Sequence, residues 1–109
     1  MLVCVDPAVE LPDEERAAIG PATEAWVDEM DGRGVRVLGQ ELAPVADATT
    51  IRVRGGEVVV ADGPFAEAKE QIAGFDILDC RDLDEAMEVA AKHPVARVGA
   101  LELRPFKEG

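Results

Sequence analysis

This sequence has no long apolar runs, few aromatic residues and few positively charged residues. No apolar stretch approaches the roughly 18 residues that a membrane-spanning helix needs. One tryptophan, three phenylalanines and no tyrosine offer no series of aromatic rings on which nucleic-acid bases could stack. The 11 lysines and arginines stand against 23 acids, a formal charge of −12, which repels a phosphate backbone. We therefore expect no membrane span and no direct contact with nucleic acid.

Residues for metal, disulfide and cofactor chemistry are also few. The two cysteines, Cys4 and Cys80, lack CxxC spacing, and His93 is the one histidine, so the chain has no zinc-site pattern. Separated thiols in apolar surroundings are typically buried and free, which suits a reducing cytosol. No Walker, dinucleotide, HExxH or Ser-His-Asp pattern is present, and the start, Met1 to Val5, lacks the basic region of a signal peptide. We predict a cytoplasmic protein without metal, disulfide or cofactor.

The composition that remains is typical of one globular domain. The chain has 109 residues, 48% hydrophobic and 31% charged, which predicts a single domain over 1–109 with one modest core. Its acids are concentrated, because nine of them and only Arg16 lie between Asp6 and Asp31. We interpret this segment as a solvated helix face that confers solubility. A docking surface for a basic partner is the alternative.

Hydrophobic periodicity divides the chain into strands and helices. The predicted strands are 1–5, 35–42, 49–54, 57–61, 75–80 and 98–106. The predicted helices are 13–31, with an aspartate cap at its start, 66–72 and 83–93. We expect Gly20-Pro21 to kink or restart the first helix, because proline lacks the amide hydrogen. Gly55-Gly56 between alternating β-formers indicates a hairpin. Asp82 and Glu85 have the spacing of a capping box at the last helix.

The order of these elements predicts an α+β fold. Two split βαβ halves give a ferredoxin-like antiparallel sheet with both long helices on one face, and a β-hairpin and a short helix are inserted between the halves. The other face of such a sheet must find a cover when it is apolar. We predict that a second copy supplies this cover in an isologous homodimer. The alternative is that the inserted hairpin folds over the same face.

The main candidate site is the sequence Asp62-Gly63-Pro64-Phe65 (DGPF), which follows the hairpin. A turn and a helix start would explain it, with Phe65 filling the core. Alternatively, the loop presents Asp62 to a cleft in which Lys69 and Glu70 bind a small polar ligand or exchange protons with it. Pro64 and Phe65 would then form the apolar wall of a ligand site. Both interpretations stay open at the level of the sequence.

Two further groups of polar residues lie near the carboxyl end. His93 occupies the last turn of a helix before Pro94, where an imidazolium would favour the negative end of the helix dipole. Alternatively, it titrates in a site and shares acid–base roles with Asp62. Glu102 and Arg104 project from the same face of the last strand, and we predict that they form an ion pair at the dimer face.

Several motifs match one known family in order and spacing. They are Thr49-Thr50-Ile51-Arg52-Val53-Arg54, Asp62-Gly63-Pro64-Phe65, Glu67, Lys69-Glu70, Gly74-Phe75, Leu83-Asp84-Glu85-Ala86, His93-Pro94, Gly99 and Glu102-Leu103-Arg104-Pro105. The chain thereby resembles the DGPF branch of the YCII-related family. The resemblance implies a ferredoxin-like fold of the dimeric α+β barrel group and a cytosolic bacterial protein. It also implies a link to extracytoplasmic-function sigma factors, to which some members are fused or beside which they are encoded.

The wider family is suspected of enzymatic work through a His–Asp pair, and this sequence departs from that pattern. Its first strand and helix contain no histidine, and His93 stands before Pro94, where the wider family tends to carry aspartate. Three hypotheses follow. The first is a dimeric domain that binds a small polar ligand or serves as a regulatory module with a sigma factor. The second is a cofactor-free enzyme on a small polar metabolite with Asp62 and His93 as acid–base groups. The third is a purely structural interaction module.

Overall fold

The computed structural model describes residues 1–65 and 70–108. Its strands are β1 (Leu2–Val5), β2 (Arg36–Glu41), β3 (Thr49–Arg54), β4 (Glu57–Asp62), β5 (Gln71–Leu78) and β6 (Ala100–Glu102), and its α-helices are α1 (Asp13–Gly32) and α2 (Leu83–Ala91). Short 3-10 turns occupy Val45–Asp47 and Pro94–Arg97. No helix in these ranges is long and apolar enough to cross a bilayer.

Four strands form one antiparallel sheet in the order β2-β5-β1-β6. Both helices pack on the same face of this sheet. Trp26 and Met30 of α1 meet Val89 of α2 in the buried core, and the indole Nε1 of Trp26 donates a hydrogen bond to the Val89 carbonyl at 2.9 Å. The predicted ferredoxin-like α+β fold is therefore confirmed.

The two helices begin in different ways. Pro12 precedes α1 without a side-chain cap, and Asp13 is the first helical residue rather than the predicted cap. The helix continues through Pro21 to Gly32, so the predicted restart is wrong. Proline removes one backbone hydrogen bond, and the packing of the second half of α1 against the core holds the helix together beyond it. At α2, by contrast, the Asp82 side chain accepts from the Glu85 amide at 2.8 Å, as predicted.

The segment after the hairpin differs from the prediction. Most of the expected helix at 66–72 falls on residues 66–69, which lie outside the described part of the chain. Gln71 and Ile72 belong to β5 instead, because β1 offers them strand partners at Val5 and Cys4. The helix prediction is therefore wrong at Gln71 and Ile72. The last strand is also shorter than expected, because β1 pairs only with its residues Ala100, Leu101 and Glu102.

Strands β3 and β4 form a hairpin that is a sheet of its own. Their register runs from Thr49 opposite Asp62 to Arg54 opposite Glu57. The turn Gly55-Gly56 has φ values of 59° and 79°, a conformation that glycine adopts without steric cost. All six residues of β4 are exposed. The hairpin was predicted correctly. It does not fold over the open face of the four-stranded sheet, which was the alternative to a second copy as its cover.

Candidate functional site

A cavity of about 920 Å³ lies between α1 and the helix-facing side of the sheet. The second half of α1 packs tightly through Trp26 and Met30, whereas Ile19 is the one partly buried residue among the first eight of the helix. The space therefore opens under the first half of α1. Apolar side chains, among them Val3 and Val5 of β1, form much of its wall.

A largely buried ion pair between Arg36 and Asp76 lies in the wall of this cavity. Nε of Arg36 donates to Oδ1 of Asp76 at 2.9 Å, and this hydrogen bond is the main cause that raises the pKa of Arg36. Oδ2 of Asp76 has no hydrogen bond to the described residues. Every fully buried polar side-chain atom among these residues has a partner, so Oδ2 is not fully buried, and its side chain lines the cavity. The site thus offers a carboxylate oxygen to a ligand.

Gly39 makes room for the Asp76 carboxylate. The two residues are paired across β2 and β5, and Arg36 Nη2 donates to the Gly39 carbonyl at 3.2 Å. A Cβ at position 39 would lie 2.7 Å from Cγ of Asp76 and 2.7 Å from the Phe75 carbonyl oxygen. Distances this short do not occur for real Cβ atoms. The close approach of the carboxylate therefore requires glycine at this position.

His93 lines the same cavity and is only 3% exposed. Its Nδ1 accepts a hydrogen bond from the Val95 amide at 3.1 Å and so caps the 3-10 turn. The edge of the ring meets Trp26, with 4.7 Å between centroids. Burial lowers the pKa of His93, and the charge of Asp76 offsets part of this effect. The neutral imidazole therefore carries its hydrogen on Nε2, because Nδ1 is an acceptor.

The sequence interpretation of His93 as a cation at a helix end does not match this geometry. A charged imidazolium would have no lone pair for the Val95 amide, and desolvation disfavours the charged form. Instead, the cavity wall contains a neutral imidazole and the Asp76 carboxylate, whose charge acts on the pKa of that imidazole. Such a pair can donate and accept hydrogen bonds at once, and it can exchange a proton with a bound molecule.

The residues predicted from the DGPF sequence lie elsewhere. Pro64, Phe65 and Glu70 line a second cavity of about 530 Å³, and Lys69 lies outside the described residues. Phe65 is 77% exposed, so the prediction that it fills the core is wrong. The guanidinium of Arg52 lies 5.3 Å from the Phe65 ring centroid and donates to the Phe65 carbonyl at 3.3 Å. The Arg52 guanidinium therefore lies over the face of the Phe65 ring, outside the core.

Asp62 and His93 do not share a cavity. Asp62 is exposed at the end of β4, and it lines neither of the two cavities, whereas His93 is buried beside α1. The exposed pair Glu102 and Arg104 does form, at 2.7 Å. The structure thus joins His93 to Asp76 and Arg36, two residues that sequence reasoning passed over. An acid in the middle of the apolar run Phe75 to Leu78 was the available signal, since such acids are rarely buried without a partner.

The cysteines and the other acids of the described residues form no further centre. Cys4 and Cys80 are free thiols, and burial is the main cause that raises the pKa of each, so neither is an activated nucleophile. Within residues 1–65 and 70–108, no group of three or more His, Cys, Asp or Glu side chains is arranged to hold a metal ion.

Fold and site together define a small α+β domain with ferredoxin-like topology and, under its first helix, a cavity with a largely apolar wall and a few polar groups. The YCII-related domain matches residues 1–108, and the chain belongs to the YCII-related family. Over 101 residues it is 39% identical to an uncharacterized protein of Rhizobium meliloti (strain 1021), a match that covers 77% of this chain and 82% of the relative. The family predicted from the motifs is confirmed.

Proposed function

We propose that the chain binds a small polar molecule in the cavity under α1. The observation that carries the proposal is that Asp76 and His93 line this space and that one polar atom of each, Oδ2 and Nε2, has no hydrogen bond to the described residues. Both belong to side chains that are more than nine-tenths buried. A ligand with one hydrogen-bond donor, one acceptor and an apolar part would satisfy both atoms and cover the apolar wall.

A thermal-shift screen of metabolites tests this proposal, because a ligand that binds only the folded chain raises its melting temperature. For a ligand found in this way, we expect His93→Asn to weaken binding roughly tenfold, about the value of one hydrogen bond. Asparagine keeps an acceptor for the Val95 amide and removes the Nε2 donor. The matched control is Asp62→Asn, which changes an exposed residue outside the cavity and should leave the affinity unchanged.

The second cavity is the rival location for the ligand, since Pro64, Phe65 and Glu70 line it. If Phe65→Ala weakens binding and His93→Asn does not, the ligand lies beside the DGPF sequence and our proposal is wrong. If no metabolite shifts the melting temperature, a structural interaction module becomes the better hypothesis.

A cofactor-free enzyme is the second candidate function, with Asp76 in the place that the sequence suggested for Asp62. The favouring observation is the fixed tautomer of His93, whose Nδ1 is held by the Val95 amide. A neutral imidazole with a free Nε2–H can donate a hydrogen bond to an oxygen on which negative charge develops, and the Asp76 carboxylate can accept the proton that the ligand gives up. Conversion of the bound ligand, lost in His93→Asn and kept in Asp62→Asn, would establish this function.

The buried imidazole predicts how stability depends on pH. In the unfolded chain His93 titrates near the ordinary pKa of 6.5, and in the folded chain its pKa is lower. The unfolded state therefore gains the proton first as the pH falls, and the contribution of neutral His93 to stability, full above 6.5, is lost below it. We expect His93→Asn to lose less stability than the wild type between neutral pH and about pH 5.5. Parallel curves for the two proteins would contradict this.

A homodimer through the open face of the sheet also belongs to the proposal. Leu2 is paired with Phe75 and Leu38 with Ile77. These four residues alternate along their strands with residues that face the helices, so their side chains lie on the opposite, open face. The open face is thus apolar, and Leu38 is 47% exposed. A second copy would cover it. We expect a dimer in sedimentation experiments at micromolar protein and a monomer for Leu38→Lys, whereas a wild-type monomer would refute the proposal.

The finer assignments rest on the resemblance of the motifs. We propose that the chain belongs to the DGPF branch, acts in the cytoplasm and serves a sigma factor as a regulatory module. The exposed acids of α1 would offer such a basic partner a surface. Binding to a purified extracytoplasmic-function sigma factor, measured by calorimetry, is the test. If calorimetry detects no heat of binding, the sigma factor is removed from the proposal.

A further inference from the structure

One face of the hairpin is apolar and uncovered. The register places Ile51 opposite Val60 and Val53 opposite Val58, so the four side chains share a face. Their exposed fractions are 65%, 61%, 58% and 66%. The opposite face differs, because there Val59 is paired with Arg52. The hairpin therefore has one apolar side and one mixed side.

The rest of the chain gives this hairpin little support. Within the part of the chain that the structure describes, its strands pair only with each other, and a two-stranded hairpin is marginally stable alone in water. The radius of gyration is 16.1 Å, whereas a compact domain of this length has about 13 Å. The arm thus extends from the body and exposes branched apolar side chains, an arrangement that favours association with another surface.

The size of the patch limits what can cover it. Full burial of a valine or isoleucine removes roughly 60–120 Å² from water, so the four side chains supply a few hundred Å² at most. A stable interface buries about 800 Å² on each partner. The hairpin face therefore needs a larger interface beside it, and the open face of the sheet offers one on the same molecule.

Charge also favours a second copy as the partner. The hairpin carries Arg52 and Arg54 against Glu57 and Asp62, a formal charge of zero, on a chain with a net charge of −12. It is thus a segment that can approach another acidic copy without strong repulsion. Two copies related by a two-fold axis would each contribute one arm.

We infer that the apolar face of the hairpin (Ile51, Val53, Val58 and Val60) packs against a second copy of the chain and extends the dimer interface beyond the sheet. This inference rests on the homodimer proposed above. The hairpin is then a dimerisation arm that the partner copy stabilises.

Two neighbouring residues of β4 provide a matched test. Val58 and Val59 point to opposite faces of the hairpin, and a lysine at either position reduces the net negative charge equally. We expect Val58→Lys to raise the dimer dissociation constant at least about tenfold, since one apolar contact is lost from each copy. Val59→Lys should stay within about twofold of the wild type. Circular dichroism should show both variants folded, because the hairpin lies outside the core.

The outcomes separate this inference from the dimer itself. If the wild type dimerises and the two lysine variants weaken the dimer equally or not at all, the hairpin inference fails and the sheet interface stands. A wild-type monomer overturns both proposals and leaves the arm for a different partner. Amide exchange gives a second measurement, because hairpin amides should be protected above the dissociation constant and exposed below it. Exchange that does not depend on protein concentration would contradict the inference.

Discussion

Replacing Asp76 by alanine is expected to lower the free energy of unfolding by about 3 kcal/mol and to abolish ligand binding in the cavity under α1. The carboxylate is 8% exposed, and it accepts the Nε hydrogen bond of Arg36 at 2.9 Å. Without it, a largely buried guanidinium loses its main counter-charge. Oδ2, the atom that we assign to the ligand, disappears at the same time. Urea unfolding followed by the fluorescence of Trp26, the one tryptophan of the chain, measures the first effect.

Asp31→Ala is the matched control, because Asp31 is the other carboxylate that contacts Arg36. Its Oδ1 lies 3.2 Å from Nη1, but its side chain is half exposed. Exposed ion pairs contribute little, so we expect a loss of about 0.5 kcal/mol and unchanged ligand binding. Equal losses for the two variants would show that burial does not distinguish these carboxylates. Ligand binding that survives in Asp76→Ala would place the ligand elsewhere.

The fold could be predicted because its signals are local. The alternation on both sides of Gly55-Gly56 specified the hairpin and its register, and the spacing of Asp82 and Glu85 located the start of α2. The order of strands and helices then restricted the topology to a ferredoxin-like sheet. The errors lie where a tertiary contact overrides a local preference. Ile72, for example, joins β5 because Cys4 lies opposite it.

The site was harder to predict because three distant segments assemble it. Arg36 and Asp76 are separated by 40 residues and meet through the β2–β5 register, which the sequence does not specify. His93 could be singled out as the one histidine, but its surroundings depend on how α1 packs. The DGPF sequence attracted attention for its composition, and its turn residues are also explained by the backbone, since Gly63 has a φ of 97°. The DGPF sequence and the residues that line the cavity under α1 therefore lie in different parts of the molecule.

Gly39→Ala is expected to destabilise the fold by about 3 kcal/mol, the upper end for overpacking a single methyl group. The added Cβ would collide with the Asp76 carboxylate and lie 2.7 Å from the Phe75 carbonyl oxygen. Backbone and side chain would both have to move, which also displaces the ligand site. Gly32→Ala is the control, because a Cβ there meets nothing within 4 Å. Alanine in that helical position should be neutral or stabilise by up to about 1 kcal/mol.

A double-mutant cycle shows whether the carboxylate is the obstacle. In the Asp76→Ala background, Gly39→Ala no longer meets the carboxylate but still meets the Phe75 carbonyl oxygen. We therefore expect its cost to fall by at least about 1 kcal/mol, a coupling typical of residues in direct contact. Additive costs would mean that the backbone contact alone requires glycine. In that case Gly39 would preserve the β2–β5 register, and the position of the Asp76 carboxylate would need a different explanation.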